Sequence, residues 1–162
     1  MIVQIYTIIH TLISLVAIFT GLVVLFGLLA DKRLDGWTNW FLVTAVATTV
    51  TGFFFPFRGF TPAIGLGLIS LPILALTIYA RYPRGLRGAW RWIYVIGAVI
   101  SLYFNVFVGV VQSFEKIPAL KAMAPTQSEP PFKLTQLVVL ALFVVLTFVA
   151  AIRFRPGPLP VQ

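Results

Sequence analysis

Cysteine is absent from the 162 residues, histidine occurs once, and only four side chains are acidic. Without thiols there can be no disulfide, no thiolate nucleophile and no iron–sulfur ligation, and the redox compartment stays open. A metal centre needs several His, Cys or carboxylate ligands at one point. His10 alone, with Asp31, Asp35, Glu115 and Glu129 scattered in turns and at helix ends, does not supply one. Because no apolar run contains a carboxylate, the usual intramembrane proton relay or cation site built from Asp and Glu is missing too. Neither a G-x-S-x-G, a phosphate loop nor a dinucleotide fingerprint occurs, so nothing points to a hydrolase or nucleotide enzyme, and the reading leans away from catalysis. Charge of either sign is scarce: 10% of residues, against about a quarter in soluble domains.

What the chain has instead is apolar sequence, 60% of the total. It falls into five runs, Tyr6–Ala30, Trp37–Pro56, Thr61–Ala80, Trp92–Phe114 and Phe132–Ile152, each close to the roughly 20 residues that a helix needs to cross about 30 Å of hydrocarbon. The expected fold is an all-α integral membrane bundle of five transmembrane helices in a single domain, 1–162. The alternative is four helices plus a proline-broken re-entrant pair around Gly52 to Gly67. The first run lacks a basic leader and a small-x-small cleavage site, and it is too long for a signal peptide, so it is expected to remain as a helix.

Charged and proline-containing segments punctuate the runs. Asp31-Lys32-Arg33-Leu34-Asp35-Gly36 is a short turn, Pro56 to Pro62 a tight connection, and Arg81 to Gly88 a basic loop leading into Trp90 and Trp92, aromatics typical of a membrane interface. The longest connection, Glu115 to Pro131, holds four prolines. Its first part, Ile117 to Met123, is expected to form a short turn on the membrane surface. Five spans place Lys32, Arg33, Arg81, Arg84, Arg87, Arg91, Arg153 and Arg155 on one side and Arg58, Lys116, Lys121 and Lys133 on the other. That bias predicts the N-terminus outside and the C-terminus in the cytoplasm. It also accounts for the net charge of +8 without nucleic acid, because the cations sit in short loops and not along one polar helix face.

Small and polar residues mark the packing faces. Gly97, Ser101, Asn105 and Gly109 recur every four residues along the fourth run, forming one ridge and predicting a central helix. Thr7, His10, Thr11, Ser14, Ala17 and Gly21 form a similar face on the first run, and Thr44, Thr48 and Thr51 a stripe on the second. The last run is apolar all round and is expected to be the most lipid-exposed. Ordered by depth, His10, Ser14, Thr48, Thr51, Asn105 and Gln112 lie from mid-membrane outwards, with Ser70, Thr135 and Gln136 nearby. A polar cavity open to the outside is the economical reading, and these six are the candidate ligand-binding residues. The plainer reading is that the hydroxyls bond their own helix or a neighbour, contacts worth about 0.6 kcal/mol each. Arg58 and Glu115 are expected on the same outer surface near the cavity mouth, either paired with each other or holding an anionic group. Arg84, Arg87 and Arg91, with Trp90 and Trp92, would meet anionic headgroups as readily as they signal topology.

His10, the Thr51-Gly52-Phe53-Phe54-Phe55-Pro56 turn and the segment Ala124-Pro125-Thr126-Gln127-Ser128-Glu129-Pro130-Pro131-Phe132 together resemble small bacterial multi-span inner-membrane proteins, a group to which no function is assigned. The resemblance covers most of the chain and implies the inner membrane as compartment, without a mechanism. The five-helix tryptophan-rich sensory family matches in length and helix number, but its Trp and Pro pattern is not present, so none of its ligand residues is carried over.

Three functions follow as expectations. The first is a pocket protein that binds or helps transport a small or amphipathic molecule. The second is an accessory or structural subunit, whose Gly97–Gly109 ridge docks a helix of the same chain, a homo-oligomer or a membrane-complex partner. The third is a redox component holding haem or quinone through His10, where bis-histidine ligation would need a second copy of the chain. The lipid bilayer is the partner common to all three, and the cofactor is unknown.

Overall fold

The computed structural model describes residues 1–56 and 59–157. Among them are six helices: α1 (Ile2–Leu29), α2 (Asp35–Gly52), α3 (Pro62–Arg81), α4 (Ala89–Lys116), α5 (Pro118–Met123) and α6 (Pro130–Arg153). The helix starts follow local chemistry. Thr61 caps α3 by accepting the Ile64 amide at 3.3 Å, and prolines occupy the first turns of α3, α5 and α6, where their missing N–H costs nothing. The short α5 lies where a short turn was expected, between Ile117 and Met123.

Four helices, α1, α3, α4 and α6, are long and apolar enough to cross a membrane, the architecture of a helical membrane protein. The expected fifth, α2, is not among them. Its 18 residues include Asp35, Gly36, Thr38, Asn39, Thr44, Thr48, Thr49, Thr51 and Gly52, which dilute its apolar character. It is nonetheless an unbroken helix that runs antiparallel along α1: Gly27 faces Leu34 near the short turn, Gly21 faces Phe41, and His10 meets Thr51 at the far end.

The small-residue ridge makes α4 the hub, in contact with α1, α2, α3, α5 and α6. At Gly97 the approach to α3 is so close that a Cβ would sit 2.0 Å from Thr77 Oγ1. At Gly21 a Cβ would fall 2.6 Å from Leu102 and 2.8 Å from Phe41, so α1, α2 and α4 converge there through the absence of a side chain. Outside, α6 presents Leu137, Val138, Val145 and Phe148, and α1 presents Leu12, Leu15, Phe19 and Phe26. An apolar exterior of this kind suits lipid as solvent, while the helices satisfy their own backbone groups.

Packing is uneven along the bundle axis. Apart from Phe114, the buried residues of the five long helices lie from about mid-helix towards one end, which gathers the α1–α2 turn, the α3–α4 loop and the end of α6. Here Val24, Leu28, Phe41, Leu74, Tyr94, Val95, Leu102, Ala150 and Phe154 form one core. We call this the basic end. At the opposite, open end, every residue of α4 from Tyr103 to Ser113 is only half-buried, as are Val46 to Thr49 on α2.

Candidate functional site

At the open end, Tyr6, His10 and Ser14 follow one another at four-residue spacing on the inward side of α1, opposite the last turn of α2. The His10 Nδ1 lies 2.8 Å from Thr51 Oγ1. The Thr51 hydroxyl has a single proton, and it is directed at the Ala47 carbonyl, 2.6 Å away. With the Thr51 proton on that carbonyl, Nδ1 carries the hydrogen and donates to Thr51, and Nε2 is then a lone-pair acceptor with no partner among the described residues. The Tyr6 hydroxyl donates to the Thr51 carbonyl, and Phe55 packs edge-on against both rings, with centroids 4.9 Å from Tyr6 and 5.0 Å from His10. Gly52 lies beside the imidazole, where a Cβ would reach only ordinary contact with the ring, at 3.8 Å.

The other candidates are less closely grouped. Ser14 donates to the His10 carbonyl at 2.8 Å, within its own helix. One turn inward from Thr51, the Thr48 hydroxyl is buried without a hydrogen-bond partner among the described residues. Asn105 donates to the Ser101 carbonyl at 2.9 Å, and Gln112 reaches Glu115 at 3.5 Å. Because Gly109 faces Ile18 and Leu102 faces Gly21, the antiparallel register of α1 and α4 sets Asn105 about level with Thr20. That is roughly ten residues, or about 15 Å, deeper than His10. His10, Ser14, Thr48 and Thr51 thus share the α1–α2 seam, whereas Asn105 and Gln112 belong to α4 and make no hydrogen bond to them. Most other hydroxyls, among them Thr7, Thr11, Thr20, Thr44, Thr77, Ser101 and Thr147, bond a carbonyl one turn back in their own helix, as the plainer reading expected. The expected pairing of Arg58 with Glu115 falls on a residue outside the described set.

Two clefts are present among the described residues, and neither is lined by the six candidate site residues. One, of about 550 Å³, lies between α1 and α2 and is bordered by Val16, Phe19, Thr20, Gly36, Trp37 and Trp40. The other, of about 360 Å³, is bordered by Pro83, Arg84, Arg87, Gly88 and Trp90 in the α3–α4 loop.

The basic end holds a polar cluster that sequence reasoning missed. Arg81 was read as part of an exposed loop, yet it is the last residue of α3 and only 2% exposed. Its Nη2 donates to Asp35, its guanidinium lies over the rings of Tyr82 and Tyr94, and its Nε and Nη1 have no partner among the described residues. The Tyr94 hydroxyl beside it is likewise buried and unpartnered. Tyr82 donates to Asn39, tying α2 to the end of α3. Arg91 donates to the Ala151 and Phe154 carbonyls, and Asp31 accepts the Arg155 amide at 2.7 Å. The signal available in the sequence was that Asp35 and Arg81, oppositely charged, open α2 and close α3 at the same end of the bundle. No protein-family model, curated protein or solved structure matches the chain.

Proposed function

We propose that this is a small multi-span protein of the bacterial inner membrane that binds, or helps to transport, a small or amphipathic molecule through a polar group at its outer end. In this reading five helices cross, with the N-terminus outside and the basic end in the cytoplasm. The antiparallel packing of α2 between α1 and α3 supports its crossing, and the cation bias supports the orientation. The binding group is the α1–α2 seam of His10, Ser14, Thr48 and Thr51, with Gln112 and the deeper Asn105 along the α4 wall.

One observation carries the reading. His10 is oriented through Nδ1 by Thr51 while Nε2 remains free to accept, in the half of the bundle that packs least tightly. A neutral imidazole held in this way takes a hydrogen-bond donor, such as a hydroxyl or amide of a ligand, with Phe55 and Tyr6 as apolar walls. The unpartnered Thr48 hydroxyl supplies a second polar contact. Native mass spectrometry of the gently extracted protein, with an absorption spectrum of the same sample, tests this. A stoichiometric small molecule that is lost in His10→Ala and retained by a folded Ser113→Ala control supports the site. A ligand-free chain, or retention unchanged in His10→Ala and Asn105→Leu, would overturn it. A haem spectrum would instead select the redox reading of His10.

The accessory-subunit reading draws less from the geometry. The ridge proposed for docking is engaged within the chain, with Gly97 against Thr77 and Gly109 against Ile18.

A further inference from the structure

The α3–α4 loop is short, basic and firmly built. Arg84 and Leu86 donate their amides back to the Tyr79 and Ala80 carbonyls, each at 3.1 Å, and Leu86, 3% exposed, plugs the loop into the core. Gly85, Leu86 and Gly88 all adopt positive φ, which bends the chain sharply enough to turn Arg84 and Arg87 towards one cleft. That cleft, about 360 Å³, is walled by Trp90, whose ring lies under the Arg84 guanidinium, with Cζ 4.9 Å from the ring centroid. Tyr79 buttresses Trp90 edge-on at 5.3 Å. A guanidinium offers a planar fork of N–H donors, which matches two oxygens of a phosphate.

The charges at this end do not cancel locally. Both of its acids are engaged elsewhere: Asp35 by Arg81 and Arg33, and Asp31 by the Arg155 amide. Arg91 is committed to the end of α6, and Arg153 to the Leu29 carbonyl. Arg84 and Arg87 are exposed and have no ion-pair partner among the described residues, yet they flank the same cavity. Trp90 and Trp92 open α4 beside the cleft, and tryptophan is the residue type that membrane proteins concentrate between headgroups and hydrocarbon.

We propose that this cleft is a phosphate-binding site for the headgroup of an acidic phospholipid, with Arg84 and Arg87 as the two cationic arms and Trp90 as the wall. The inference is independent of the His10 reading, since it concerns the opposite end of the bundle.

The test is native mass spectrometry of the detergent-solubilised full chain titrated with phosphatidylglycerol, with phosphatidylcholine and with inorganic phosphate, in the wild type and in R84Q/R87Q. The wild type should retain phosphatidylglycerol at least about fivefold better than phosphatidylcholine, and the double variant should lose that preference while keeping its unfolding temperature. R84K/R87K should recover part of it, because lysine restores the charge but not the fork. Arginine-dependent displacement of the lipid by millimolar inorganic phosphate would support the phosphate site. Equal retention of the two lipids by the wild type, or unchanged selectivity in R84Q/R87Q, would overturn the proposal. Should R84Q/R87Q fail to fold, the single variant R87Q, whose side chain stacks on no ring, is read in the same way.

Discussion

The buried guanidinium of Arg81 meets the half-exposed carboxylate of Asp35 across 46 positions of sequence, and the two differ sharply in their access to solvent: 2% against 54% for the side chains. The partners should therefore respond unequally to removal. Asp35→Ala leaves a charge inside the bundle with no acceptor, whereas Arg81→Met leaves a carboxylate that water can reach. Asp35→Ala is expected to cost about 2–4 kcal/mol, within the range for a broken buried pair discounted for the exposed partner, and Arg81→Met less than half of that. Equilibrium unfolding in mixed micelles measures both. Equal losses would show that the pair is solvated and symmetric.

The Gly97 contact makes a second prediction. A methyl group at this position collides with Thr77 Oγ1 and lies 3.7 Å from the Ile73 carbonyl, so α3 and α4 must separate. Gly97→Ala is expected to destabilise by about 1–3 kcal/mol, the usual cost of overpacking, and Thr77→Ala in the same chain should recover part of the loss. Light scattering should show no change of oligomeric state, because the face is used internally. A shift in mass without a change in stability would mean that the ridge binds another chain.

His10 is the only histidine, so selective ¹⁵N labelling reports a single imidazole. The Nδ1–H tautomer is expected, and Thr51→Val should broaden or reverse it by removing the acceptor. An Nε2–H spectrum in the wild type would contradict the hydrogen-bond assignment at this seam.

Near the start of α6, the Glu129 carboxylate accepts from the Thr126 hydroxyl at 2.7 Å and from the amides of Thr126 and Ser128 at 3.2 and 3.0 Å. These bonds, led by the one from the Thr126 side chain, hold its pKa below the ordinary glutamate value. A depressed carboxylate contributes stability above its unfolded pKa and loses it as the pH falls through the folded value. The Thr126 and Ser128 amide resonances should thus titrate together at a pH below that of a free glutamate, and Glu129→Gln should abolish the step. A midpoint at or above the ordinary value would refute the bonding.

The cysteine-free background allows a direct test of topology. Single cysteines at Lys32 and Arg87 should react with an impermeant maleimide only from the cytoplasmic face, and those at Phe60 and Lys121 only from outside. Labelling of Lys32→Cys and Phe60→Cys from the same face would mean that α2 does not cross.

Much of the architecture was legible because it depends on local chemistry. An apolar run of about 20 residues has to close its backbone hydrogen bonds within itself, so α1, α3, α4 and α6 could be read directly, whereas Pro118 and Pro130, read as helix breakers, turn out to open α5 and α6. The glycine and serine spacing on α4 named the hub, since close approach requires small side chains whatever the partner. Which partner that is could not be read: Gly97 with Thr77, His10 with Thr51 and Arg81 with Asp35 are meetings of distant segments, and no local pattern encodes them. Periodicity placed the hydroxyls on one face and left two readings open, a cavity lining or bonds to their own helix, and only the folded chain showed that most take the second. The span count rests on the same boundary. The polar content of α2 is written in its sequence, but its position is set by the helices packed on either side. Tertiary structure alone decided that the bundle packs tightly at its basic end and loosely at the other, because side-chain packing is a property of facing surfaces and not of any one segment.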